Sequence, residues 1–210
     1  MNEFSAIVKK AEELVTDLYG RRLPSWAKYH TLNHTREVVA SCAEIGAGMK
    51  LAPQEMEVVL LAGWFHDAGY VDGAEGHEER GAEIAEKFLR SEGYAAHRIQ
   101  EVVGCIRATK LPQRPTTVMQ EVVCDSDISN IGGDAFRAHS DALRAEWELR
   151  AGIPFTEEEW LKKNIEFVNG FRFHTSFAQA RYGKTREKNL RELIGRLERL
   201  QDGLYGDKHR

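Results

Sequence analysis

The sequence predicts an all-α protein, because apolar residues recur at three- and four-residue spacing through nearly every segment and no alternating strands bounded by hairpin turns appear. Helices are expected at roughly 3–19, 33–48, 54–68, 77–92, 95–108, 117–129, 133–150, 156–180 and 185–202. Glycine, proline and polar breaks mark the joints. Pro53 suits the first turn of its helix, where its missing N–H is no loss, and Gly93 suits a C-terminal cap. LPQRPTT at 111–117 is the longest stretch that cannot be helical.

With 210 residues, 42% hydrophobic and 30% charged, the chain can bury one full core, so a single domain over 1–210 is expected. No apolar run approaches the roughly 18 residues of a membrane span. The start MNEFSAIVKKAEELV carries acidic residues and no signal-type apolar run, so a cytoplasmic protein without a membrane partner is expected. The three cysteines, Cys42, Cys105 and Cys124, are odd in number, scattered and set in apolar helical patterns, which fits reduced core thiols. A net charge of -4 argues against a general nucleic-acid binder, so phosphate recognition should be local.

The stretch 181–200 is locally basic, with Arg181, Lys184, Arg186, Lys188, Arg191, Arg196 and Arg199 against Glu187, Glu192 and Glu198. A solvated helical face is the plain reading; one or two of these cations are candidates to face a bound phosphate.

Chemistry concentrates in His34 of YHTLNHTREVV, the pair His66-Asp67 of LLAGWFHDAGY and Asp127 of VVCDSDISNIG. Imidazole and carboxylate together suit Mn, Fe, Zn, Co or Mg, and the lack of thiolates argues against a closed structural zinc site. From His34 one helix can descend to Met49, turn through 51–53 and return as a second helix ending at His66-Asp67. At about 1.5 Å of rise per residue the two limbs are of similar length, so an antiparallel pair brings His34 beside His66 and Asp67.

The ordered pattern His, His-Asp, Asp resembles the HD-domain superfamily of metal-dependent phosphohydrolases. YHTLNH, HEERGAEIAE, DSDISNIG and LRAEW resemble a bacterial group of HD phosphohydrolases over roughly 26–150, and FHTSF and EKNLREL extend the likeness. The resemblance implies a helical bundle with a metal-binding core and further helices at 155–202 packed on it. It also implies one divalent ion held by His34, His66, Asp67 and Asp127. Asp125 competes for the last place, but the Ser-Asp-Ile-Ser-Asn context matches at Asp127, two residues on and on a different helix face. Some members hold two metals through extra histidines. Here His77 and His97 are available, but 106–110 reads Ile-Arg-Ala-Thr-Lys, so one metal is expected.

Such a site needs a proton acceptor or water-orienting carboxylate, and cations to offset charge on the phosphate. Glu78 is the candidate carboxylate, where the resemblance also places an acidic catalytic residue. Glu79 is its rival, and both could be first-turn acids favouring the helix dipole. Asp67 and His77 join Glu78 as candidate catalytic residues; His77 could contact substrate or a second metal, or simply partner nearby backbone. His30, one turn before His34, and Lys110 and Lys184 are candidate substrate contacts beside the plainer reading of surface residues. Arg144 is a further candidate, and the three-four spacing of Arg144 and Glu146 with their neighbours suggests a buried ion pair or a substrate-orienting arginine.

Trp64 and Phe65 read as core. Trp26, Phe171, Phe173 and Phe177 could wall a nucleotide pocket, although helical-period aromatics are usually core. The expected activity is hydrolysis of a phosphate ester of a nucleotide or another small phosphorylated metabolite. The alternatives are a di-iron HD-type oxygenase and a non-catalytic nucleotide-binding regulatory module. The sequence leaves the oligomeric state open and admits a homodimer.

Overall fold

The computed structural model describes residues 5–206, with side chains through 202, so the expected start of the first helix at residue 3 lies outside the described residues. The elements are α1 (Ala6–Arg22), α2 (Leu32–Gly48), α3 (Pro53–Phe65), α4 (His77–Ser91), α5 (Ala96–Ala108), α6 (Val118–Asp127), α7 (Phe136–Ala151), α8 (Glu157–Gly170) and α9 (Ser176–Gly206). Short 3-10 turns follow α3 at Ala68–Asp72 and α6 at Ser129–Gly132. No strand occurs among the described residues.

The central element is α3. Its residues from Val58 to Phe65 are all buried, the pattern of a helix surrounded on every side. It packs against α1, α2, α4, α5 and α6. Pro53 begins it, and Glu55 closes its first turn by accepting the Ala52 N–H at 2.8 Å. The neighbouring α2 buries Val38, Cys42 and Ile45, the three-four spacing of one inward face. Burying an aliphatic side chain of this size contributes about 1.5–3 kcal/mol. The three cysteines are free and buried.

Two close approaches seat α4 over the end of α3. A Cβ on Gly81 would stand 2.5 Å from the Phe65 carbonyl oxygen, and one on Gly69 would stand 2.1 Å from the His77 carbonyl oxygen. Only glycine lets these backbones meet.

The C-terminal break falls elsewhere than expected. In place of helices at 156–180 and 185–202, the chain leaves helix at 171–175 and α9 runs unbroken through Gly183. Asp125 explains the break. Its carboxylate accepts the backbone N–H groups of His174 and Thr175, each at 2.8 Å, and the Thr175 hydroxyl. Thr175 Oγ1 in turn accepts the Ala178 N–H and caps α9. A mid-helix glycine costs about 1 kcal/mol. Around Gly183 that cost is opposed by Tyr182, whose hydroxyl donates to Glu44, and by Asn189, which donates to the Ile131 and Gly133 carbonyls.

Most cations of the basic stretch have structural partners. Arg181 pairs with Glu44, Arg196 with Glu157, and buried Arg186 donates to the Val168 carbonyl at the end of α8.

Candidate metal centre and its cavity

The candidate ligands sit at helix ends, where backbone geometry allows side chains from different elements to converge. His34 is in the first turn of α2, His66 caps α3, Asp67 opens the 3-10 turn and Asp127 ends α6. One nitrogen each from His34 and His66 and one Asp127 oxygen lie within 4.8 Å of one another. Asp67 Oδ2 stands 3.5 Å from His34 Nε2 and 3.1 Å from His66 Nε2.

His66 Nδ1 lies 2.8 Å from the Gly63 carbonyl oxygen, which can only accept, so Nδ1 carries the proton. Its Nε2 lone pair is then free to ligate. Despite the short separations, His34 Nε2, His66 Nε2 and Asp67 Oδ2 are fully buried and have no partner in hydrogen-bond geometry. Unpartnered buried polar atoms are costly. Three of them around one point fit a cation, and two imidazoles with two carboxylates are a donor set for a divalent one.

The electrostatics agree. Burial opposes charge on both residues, yet Asp67 and Asp127 push His66 well above its ordinary value, and His66 and His30 hold Asp67 well below its own. The cluster is built to stabilise positive charge at its centre.

A cavity of about 490 Å³ opens onto this cluster, and His30, Asp67, His77, Glu78, Lys110 and Asp127 are among its lining residues. Both nitrogens of His77 face acceptors, Nδ1 the Ala74 carbonyl at 2.7 Å and Nε2 the Asp67 Oδ1 at 3.3 Å. Burial works against protonation of His77, but Asp67 outweighs it and raises the imidazole above its ordinary value. Glu78 stands 3.6 Å from His77 Nδ1 at the cavity. Glu79 turns outward and pairs with Arg107 at 2.8 Å.

His30 lines the cavity and stacks on Tyr70 with ring centroids 4.1 Å apart. Its Nδ1 bonds Glu146 Oε1, and its Nε2 lies 3.2 Å from the Tyr70 hydroxyl. Glu146 is fully buried, and its other oxygen accepts the backbone N–H groups of Lys28, Tyr29 and His30 at 2.9–3.0 Å.

Other candidates stand apart from the cavity. Lys184 is exposed on α9, and Arg144 pairs with Glu148 and Glu157 and reaches the Phe155 carbonyl. Arg144 finds an ion partner four residues on in Glu148 and ties α7 to the start of α8 through Glu157, while Glu146 points inward to the His30 segment. His97 is exposed. Asp125 faces α9, away from the imidazoles that meet Asp127. Trp64 and Phe65 are core, while Phe171, Phe173 and Phe177 are not in the cavity wall. That wall comes from Phe136, Trp147, Trp160 and Phe167, none of which the spacing analysis singled out.

Residues 31–130 match the family model described as HD domain. The chain thus carries an HD-domain match over those residues, a family of generally metal-dependent hydrolases. The fold is similar to the crystal structure of a predicted HD superfamily hydrolase from an uncultured Thermotogales bacterium, at 19% identity and TM-score 0.59, covering 93% of this chain and 92% of that one. It is also similar to a crystal structure of a protein from Lactobacillus plantarum, at 11% identity and TM-score 0.67, covering 97% of this chain and 100% of that one. At these identities the likeness is one of fold. No curated protein matches the sequence. No helix among the described residues is long and apolar enough to cross a membrane.

Proposed function

We propose that the chain is a divalent-metal-dependent phosphohydrolase that cleaves a phosphate ester of a nucleotide or another small phosphorylated metabolite. One observation carries the reading: the buried, unpartnered His34 Nε2, His66 Nε2 and Asp67 Oδ2 converge beside Asp127 at a cavity that also holds Lys110. His34, His66, Asp67 and Asp127 would hold the ion. When bound, a divalent cation polarises a phosphoryl oxygen and lowers the pKa of water toward neutrality.

The remaining tasks fall to this chain's own side chains. Asp67 divides its oxygens, one toward the cluster and one toward His77, and so fixes the His77 ring at the cavity. Protonated His77 and the Lys110 ammonium supply positive charge for the phosphate oxygens. The Glu78 carboxylate, which lines the cavity, would orient or deprotonate a water. Glu146 holds His30 through Nδ1, leaving Nε2, shared with the Tyr70 hydroxyl, to deliver a proton to the leaving oxygen.

The test compares wild type with Asp67→Ala for metal content and for hydrolysis of a panel of phosphate esters and nucleotides under added Mn, Co, Mg and Zn. About one ion per chain and turnover that Asp67→Ala abolishes are expected. Two irons without hydrolysis would favour an oxygenase, and metal without turnover a nucleotide-binding module.

A further inference from the structure

Helices α7 and α8 lie beyond the residues that match the HD domain, yet they contribute Phe136, Ser140, Trp147, Trp160, Asn164 and Phe167 to the wall of the cavity that holds the metal ligands. Within that wall Trp160, Ser140 and Asn164 form a ring of hydrogen bonds whose direction is fixed. An indole N–H can only donate. Trp160 Nε1 donates to Ser140 Oγ at 2.9 Å, so the Ser140 hydroxyl proton goes to Asn164 Oδ1 at 2.8 Å. Asn164 Nδ2 then donates to the Trp160 carbonyl at 2.8 Å. The amide therefore cannot flip without breaking two bonds. A primary amide offers two N–H donors and two lone pairs on oxygen. Among the described residues the ring uses one of each, which leaves Asn164 with one fixed donor and one fixed acceptor.

This polar pair is set among aromatic rings. Trp147 meets Trp160 edge-on with centroids 5.7 Å apart, and Phe136 and Phe167 line the same cavity. Its volume of about 490 Å³ suits a small organic ligand, for which pockets run roughly 300–1,000 Å³. A flexible alkyl chain would desolvate the free donor and acceptor without replacing their hydrogen bonds. A bare sugar phosphate would leave the aromatic wall uncovered. A planar ring that stacks and carries its own donor-acceptor edge satisfies both.

We propose that α7 and α8 form a nucleobase subsite, in which the Asn164 amide reads the edge of the base and Trp147 covers its face. The inference rests on the proposed function only in placing the phosphate of the same molecule at the His-Asp cluster.

The test is calorimetric titration of metal-loaded protein with the four common ribonucleosides and with ribose. None of these probes has a phosphoryl group, so the result is independent of hydrolysis. At least one nucleoside should bind about tenfold or more tightly than ribose, and Asn164→Leu should weaken that binding about tenfold. Trp147→Ala, at a partly exposed position, should weaken it similarly and decides the matter should Asn164→Leu fail to fold by circular dichroism. Equal binding of nucleosides and ribose to wild type, or full nucleoside affinity in both folded variants, overturns the subsite. Either result leaves the hydrolase reading standing, and absence of turnover toward every phosphate ester leaves the subsite standing.

Discussion

Glu146 and His30, 116 residues apart in the chain, share a hydrogen bond between Glu146 Oε1 and His30 Nδ1, and the second Glu146 oxygen gathers three backbone N–H groups from the same segment. One buried carboxylate on α7 thus holds both the backbone leading into α2 and the imidazole that faces the cavity. Glu146→Gln keeps an acceptor for the backbone but removes the anion that orients the ring. A positioned general acid contributes about 10²–10⁴-fold, so loosening His30 should lower kcat by about tenfold or more while metal content stays at the wild-type level. Steady-state kinetics alongside metal analysis checks this.

The same carboxylate sets an acid limit. Burial pushes Glu146 up, but His30 and the backbone donors outweigh it and hold the carboxyl below its ordinary value of 4.5. A depressed carboxyl contributes stability that is complete above its ordinary value and is lost as pH falls through the lower folded value. The stability gap between wild type and Glu146→Gln should stay constant from about pH 7 to about pH 5 and shrink below about pH 4.5. Urea unfolding midpoints across that range measure it.

Asp125 and Asp127 are two residues apart but do different work. Asp125→Ala strands the His174 and Thr175 N–H groups and should cost about 2–4 kcal/mol in urea unfolding while metal uptake persists. Asp127→Ala should retain the fold and lose the metal, since its oxygen faces His34 and His66 at 3.4 and 3.5 Å. Reversed outcomes would assign the ligand to Asp125.

Gly81 lets α4 approach the end of α3. Gly81→Ala would place a methyl 2.5 Å from the Phe65 carbonyl oxygen and force α4, with His77 and Glu78, away from Asp67. Overpacking of this kind costs about 1–3 kcal/mol, so a lower unfolding midpoint is expected. A reduced kcat should accompany it.

Local signals carried much of this architecture. Helical periodicity announced the helices, and the lengths of the limbs on either side of 51–53 were enough to bring His34 to His66 and Asp67. Asp127 entered through resemblance, because no local spacing relates α6 to α2. The choice between Glu78 and Glu79 needed Arg107, which lies 28 residues from Glu79 and draws it outward. Glu146 was legible only as a neighbour of Arg144, since its true partner is distant in the chain. The break before α9 did leave a trace: Thr175 in FHTSF is a sound N-cap, but Gly183 offered a louder and misleading stop signal. The aromatic wall escaped notice because Trp147, Trp160 and Phe167 meet only through the packing of α7 on α8, and no spacing within either helix reveals that meeting.

The central claim is that His34, His66, Asp67 and Asp127 hold one catalytic divalent ion. Titrating the metal-stripped protein with Mn, read by electron paramagnetic resonance of the free ion, tests it most directly. The account predicts about one tightly bound ion in wild type and none in His66→Ala, with both chains folded. Undiminished Mn uptake by folded His66→Ala would contradict it.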